Sequence, residues 1–155
     1  MFEGEVVAIY VGPEPGEPME ARGSVNAVAG RGLEGDRYFS KKGTFSNDKP
    51  GRAITLIEAE AVEAAGRSYE VEIDPAETRR NIITRGVPLN HLVDRDFTVG
   101  DVRLRGVKLC EPCGHLEKLT EKGVKKPLIH RGGLRAEILT DGTIDVGDTV
   151  RADSG

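Results

Sequence analysis

The sequence has no tryptophan, and aromatic residues make up only 5 % of it. A core must therefore be built from Val, Ile and Leu rather than around large rings. Cysteine is nearly absent as well: two residues in 155, standing together as Cys110-Glu111-Pro112-Cys113. That excludes the dense disulfide framework of small secreted domains. No apolar run approaches the ~20 residues of a membrane-spanning helix, so no membrane association is expected. The first residues, Met1-Phe2-Glu3-Gly4-Glu5, lack the basic-then-apolar pattern of a secretory leader. A cytoplasmic location is expected, where a Cys pair is more often a reduced functional site than a staple. There is no basic surplus either: the net charge is −4, which argues against a general nucleic-acid binder. Gly-x-x-x-x-Gly-Lys, His-Glu-x-x-His and Gly-x-Ser-x-Gly are all missing, and no paired carboxylates mark a hydrolase. No linker or low-complexity tract divides the chain, so residues 1–155 read as a single domain large enough to bury a core.

Glycine and proline are abundant, 20 and 8 residues, and call for many short strands joined by tight turns. β-branched or alternating runs predict strands at Glu5–Val11, Ser24–Val28, Ala53–Ile57, Asn81–Thr84, Phe97–Val99, Val102–Leu109, Leu134–Leu139 and Ile144–Arg151. Asp141-Gly142 reads as a hairpin turn between the last two. Glu58 to Arg67 reads as a short helix ended by Gly66, with Glu58 and Glu60 favouring its positive end. Asp74-Pro75 opens a single turn ahead of Arg79. Proline-rich residues 12–23 and glycine-punctuated residues 30–38 read as loops, the latter holding Asp36-Arg37 as an intraloop ion pair or Arg37 as an anion contact. Val-Gly-Asp occurs at 99–101 and again at 146–148 as a turn element. Strands dominate and helices are few, so the fold class is mainly β: a barrel or sandwich with small helical additions.

The Cys pair lies between the strand ending at Leu109 and a short helix expected from Gly114 to Leu119. A thiol there feels the positive end of the helix dipole, which favours the thiolate. Several chemistries remain open on these residues. The pair can be a redox dithiol, although the βαβ context of a thioredoxin is missing. With His115 and His130 it totals four zinc-type ligands, although a second tight pair is missing. His115, just past Cys113, can instead stabilise the thiolate or donate a proton. Cations concentrate in the second half, among them Arg79-Arg80, Lys125-Lys126, Arg131 and Arg135. They leave room for a local anion site or for an ordinary solvated surface.

Five segments in this order, Gly32-Leu33-Glu34-Gly35-Asp36-Arg37, Glu77-Thr78-Arg79-Arg80-Asn81-Ile82, Cys110-Glu111-Pro112-Cys113, His130-Arg131-Gly132-Gly133-Leu134-Arg135-Ala136 and Gly142-Thr143-Ile144-Asp145-Val146-Gly147-Asp148, resemble the MOSC domain family. The family is named after the C-terminal domain of molybdenum cofactor sulfurase. The resemblance implies a β-barrel with a few short helices. It also implies molybdenum cofactor binding or sulfur carriage, with a family-level association with pyridoxal phosphate. It makes Cys113 the molybdenum ligand or persulfide carrier and Cys110 its helper. Arg37, Arg79, Arg80, Asn81, Arg131, Gly132 and Gly133 become the candidate holders of the cofactor's phosphate, through Arg forks and close backbone approach. A cysteine desulfurase or a molybdoenzyme is the implied partner, and a sulfurtransferase or an oxidoreductase component the implied enzyme. Tyr38 stands where the family loop often carries His. The reading from another class is a non-catalytic module that binds an anion or a partner protein, its thiols incidental.

Overall fold

The computed structural model describes residues 2–12, 19–36, 54–69, 80–109 and 133–152, with 65–69 described by their backbone alone. In chain order the strands are β1 Glu3–Val11, β2 Glu20–Arg22, β3 Ser24–Val28, β4 Gly32–Leu33 and β5 Ile54–Glu58. After helix α1, Ala59–Tyr69, come β6 Ile82–Arg85, β7 Asp96–Val99, β8 Val102–Leu109, β9 Leu134–Ile138, β10 Gly142–Asp145 and β11 Thr149–Ala152. A 3-10 turn, Leu89–Leu92, precedes β7.

Seven strands close into a barrel in the order β11-β7-β8-β9-β5-β6-β1, with β1 returning to β11. Closure removes the open edges a flat sheet would leave. β1 achieves this by dividing one of its edges between two partners. Glu3 to Glu5 pair with Arg151 to Thr149 of β11, whereas Ile9 to Val11 pair with Arg22 to Glu20 of β2. β2 is thus an added strand beyond the seam. A second, three-stranded sheet runs β10-β3-β4. The barrel expected from the sequence is the one observed.

Alternation explains the packing. In β8, Val102, Leu104 and Gly106 point inward while Arg103 and Arg105 face water. The interior is filled by aliphatic side chains with Phe97, all fully buried around Leu56, Leu104 and Leu134. β5 and β6 run parallel, Leu56 opposite Ile82. A parallel pair needs a crossover, and α1 lies within it. Its Ala59 and Val62 cover Ile57 and Ile83 on the outer barrel face, with Val7, Ala8 and Tyr10 alongside. No helix among the described residues is long and apolar enough to cross a membrane.

Local expectations are corrected at several points: the stretches 12–23 and 30–38, read as loops, hold β2 and β4, and Glu58 ends β5 rather than opening the helix. α1 does not end at Gly66 but continues to Tyr69; glycine weakens a helix without stopping it where the backbone stays right-handed. Ile144–Arg151 is not one strand, because Gly147 takes φ +97° and a turn separates β10 from β11. Asp141-Gly142 makes no hairpin: β9 pairs with β5 and β8, whereas β10 pairs with β3. Asp141 instead accepts the Ala29 N–H at 2.7 Å, joining the connection to the small sheet. The turn expected at Asp74-Pro75 and the helix expected after Cys113 lie outside the described residues.

Candidate functional site

Where β1 ends and β6 begins, a polar cluster is buried beside the apolar interior. Asn81 and Asp36 are 5 % and 3 % exposed. The Asn81 side-chain oxygen accepts from the Thr55 N–H at 3.0 Å and from the Thr55 hydroxyl at 3.2 Å. Its amide nitrogen donates to the Tyr10 carbonyl at 3.0 Å and to Oδ1 of Asp36 at 3.5 Å. The same Asp36 oxygen accepts the Gly12 N–H at 2.8 Å. Backbone bonds run in parallel, from the Asn81 N–H to the Thr55 carbonyl at 3.0 Å and from the Tyr10 N–H to the Asn81 carbonyl at 2.7 Å. Buried polar groups are tolerated only when satisfied, and here satisfaction locks three barrel strands to one loop. That loop is the turn after β4, closed by the Asp36 N–H on the Leu33 carbonyl at 3.1 Å. Asn81 therefore spends its side chain inside the fold, as the anchor of the backbone from which half-buried Arg80 branches.

Gly133 lies on the other side of β5 from this cluster. It has φ +112°, and a Cβ on it would collide with the Leu56 carbonyl oxygen, so only glycine fits as the chain enters β9. A continuous row of paired residues joins the two regions: Leu109 to Leu134, Leu134 to Leu56, Leu56 to Ile82, Ile82 to Ile9. Gly133 falls on the Ile57 side of this row, whereas Asn81 and Arg80 fall on the Thr55 side. Two strand spacings and two residue steps separate Asn81 from Gly133, about 12 Å.

Of the candidate site residues named from the sequence, Arg80, Asn81 and Gly133 are described. Arg37, Arg79, Cys110, Cys113, His115, His130, Arg131 and Gly132 lie outside the described residues. Sequence reasoning overlooked Asp36 as a buried anchor, and Thr55 and Gly12 as its partners in the cluster. The available signal was Gly35-Asp36, a turn pair in the sequence whose glycine takes φ +91°. A cleft of about 400 Å³ opens elsewhere, lined by Thr98, Asp101, Thr143, Asp145, Asp148 and Arg151 among others. It lies by the β1–β11 pairing, about 23 Å along β1 from the polar cluster. Three carboxylates against one guanidinium disfavour an anionic ligand there. Among the described residues no group of three His, Cys, Asp or Glu is arranged to hold a metal ion.

The fold has close counterparts among solved structures. The YuaD protein from Bacillus subtilis superposes with a TM-score of 0.75 at 15 % identity, covering 97 % of each chain. YiiM from Geobacillus stearothermophilus gives 0.71 at 12 % identity, covering 97 % of this chain and 75 % of that one. YiiM from Escherichia coli gives 0.67 at 16 % identity, over 100 % and 71 %. At these identities the likeness is one of fold. No curated protein matches the sequence significantly. The sequence does match the family model of the MOSC domain over residues 40–151, most of the chain and all but the first of the five segments. With the closed barrel, that match establishes that the chain belongs to the MOSC domain family.

Proposed function

We propose that this protein binds a molybdenum cofactor or carries sulfur for such a cofactor, with Cys113 as the reacting group. The MOSC family is associated with molybdenum cofactor binding and sulfur-related roles, and the reading is carried by the family match spanning the Cys-x-x-Cys. The chemistry of the donor set fits. Molybdenum favours a soft thiolate, and the only thiols in the chain are Cys110 and Cys113. The pterin phosphate needs cationic forks and accessible backbone. Arg80 beside the fixed Asn81 is a cation of that kind, with Arg37, Arg79, Arg131 and Gly132 proposed to complete the set; Gly133 is buried against the Leu56 carbonyl and shapes the entry into β9 instead. When bound, the cofactor would supply oxygen-atom or sulfur-ligand chemistry at the metal; the chain's own task is to hold the phosphate and present the thiolate, with His115 as its proton partner.

Sulfur carriage needs no bound cofactor. The Cys113 thiolate attacks the outer sulfur of a donor persulfide, forming Cys113–S–SH as the donor leaves as a thiolate. Attack by Cys110 on the Cys113 sulfur then expels hydrosulfide and leaves a Cys110–Cys113 disulfide, which a dithiol reductant returns to two thiols. A cysteine desulfurase is the proposed donor and a molybdoenzyme the proposed acceptor.

Elemental analysis and intact-mass spectrometry of protein from a molybdenum-replete host test this. Wild type should carry molybdenum, or gain the mass of one sulfur atom after incubation with a desulfurase and cysteine. Cys113→Ser should abolish both, and Cys110→Ser should load sulfur but release it slowly. Neither metal nor added sulfur on the wild type sinks the proposal. Unchanged anion affinity in Cys113→Ser would favour the non-catalytic binding module instead.

A further inference from the structure

The polar cluster has a cationic neighbour that the sequence did not bring forward. β2 pairs with the end of β1 that carries Tyr10, so Arg22 stands opposite Ile9 on one side of β1 while β6 occupies the other. All three residues of β2 are exposed. The Arg22 guanidinium is laid over the turn that carries Asp36: a Cβ on Gly35 would stand 3.3 Å from its Nη2. Gly35 has φ +91°, so the loop both needs glycine for its backbone and, by lacking a side chain, leaves the space the guanidinium uses. The loop itself cannot drift, because the next residue is fixed by Gly12 and Asn81. An arginine on a mobile surface would lose its orientation; this one rests on an anchored platform.

Its charge is loosely engaged. Among the described residues the Arg22 side chain meets one carboxylate, Glu20, at 3.5 Å, with the two side chains 43 % and 53 % exposed. A pair of that length and exposure is worth little and yields readily to a better anion. Arg80 lies across β1 from it, two strand spacings and two residue steps away, about 12 Å between backbones. Two extended arginines on opposite sides of one strand can reach toward a common oxyanion. Arg22 also precedes residues 40–151, the stretch matched to the family.

We infer that Arg22 is an anion-binding residue of this site, contributed by β2 from outside the family-matched stretch, and that it grips a phosphate group together with Arg80. The inference rests on the anionic-ligand part of the function proposed above. Because the grip is a planar fork, charge alone does not reproduce it.

The test is a titration of the full chain with inorganic phosphate, followed by NMR through the backbone amides and the arginine Nε–H signals. The wild type should bind, with the Arg22 and Arg80 Nε–H signals moving together. Arg22→Gln should weaken binding about tenfold, the scale of one charge-assisted hydrogen bond, at an unchanged Tm. Arg22→Lys should recover only part of the loss. Wild-type affinity in Arg22→Gln, with Arg80→Gln impaired, overturns the role of Arg22 and leaves the anion site standing. Absence of binding by the wild type overturns both. A fall in affinity that merely tracks a fall in Tm across the two Arg22 variants also overturns it.

Discussion

Asp36 and Asn81 act as a unit, and neither role can be read from its own neighbourhood in the chain. Asp36 finds its partners 24 and 45 residues away. Next to Arg37 in sequence, it reads instead as half of an intraloop ion pair. Asn81 reads as a ligand through the family resemblance, whereas its side chain accepts from Thr55 and donates to the Tyr10 carbonyl, both on other strands. The sequence alone does not show what these side chains bond to, since buried hydrogen-bond networks are properties of tertiary contact. Coupling follows from the shared network. Asp36→Ala and Asn81→Ala should each destabilise by about 2 kcal/mol, the cost of orphaned buried donors or acceptors. The double variant should lose less than the sum, by about 1 kcal/mol. Urea unfolding of the four proteins measures this, and strict additivity would show that the two side chains do not share a network.

Elements were more legible than residues where one physical signal dominated. Val102–Leu109 is legible because inward and outward positions alternate from Val102 to Gly106, before a bulge shifts the register. Ile144–Arg151 is not, although Val146-Gly147-Asp148 repeats the triplet that turns β7 into β8. The apolar residues on both sides outweighed a turn that Gly147 makes by its positive φ. The sequence opens α1 one residue early, at Glu58, which closes β5, and ends it short of Tyr69. Its attachment is now explicit: Glu60 accepts the Gly86 N–H at 2.8 Å, and Glu63 takes both guanidinium nitrogens of Arg85, at 3.2 and 2.7 Å. The hydrogen bond and charge of Glu63 hold the Arg85 guanidinium above its ordinary value. Both side chains remain near half exposed, so this pair orients the helix more than it stabilises it. Since the helix runs through Gly66, Gly66→Ala should stabilise the protein by about 0.5–1 kcal/mol. A lower denaturation midpoint in that variant would contradict the helical continuation.

At the scale of the molecule, the β-rich class followed from glycine, proline and short apolar runs, and the barrel from the resemblance. Closure itself left no local trace, because pairing Glu3 with Arg151 requires the two ends of the described chain to meet. A ring of mostly antiparallel strands joined by such distant contacts should fold slowly, in milliseconds to seconds rather than microseconds. Stopped-flow refolding with a single microsecond phase would refute that. The seam between β1 and β11 has a consequence for synthesis as well. Within this chain β1 is synthesised well before β11, the strand that completes its edge, on the order of ten seconds earlier at ~5–20 residues per second. Through that interval the nascent chain carries an unclosed sheet edge, the feature by which strands of separate chains find each other. A pause in translation before β11 would prolong that exposure, so the yield of folded protein should depend on elongation rate as well as on stability.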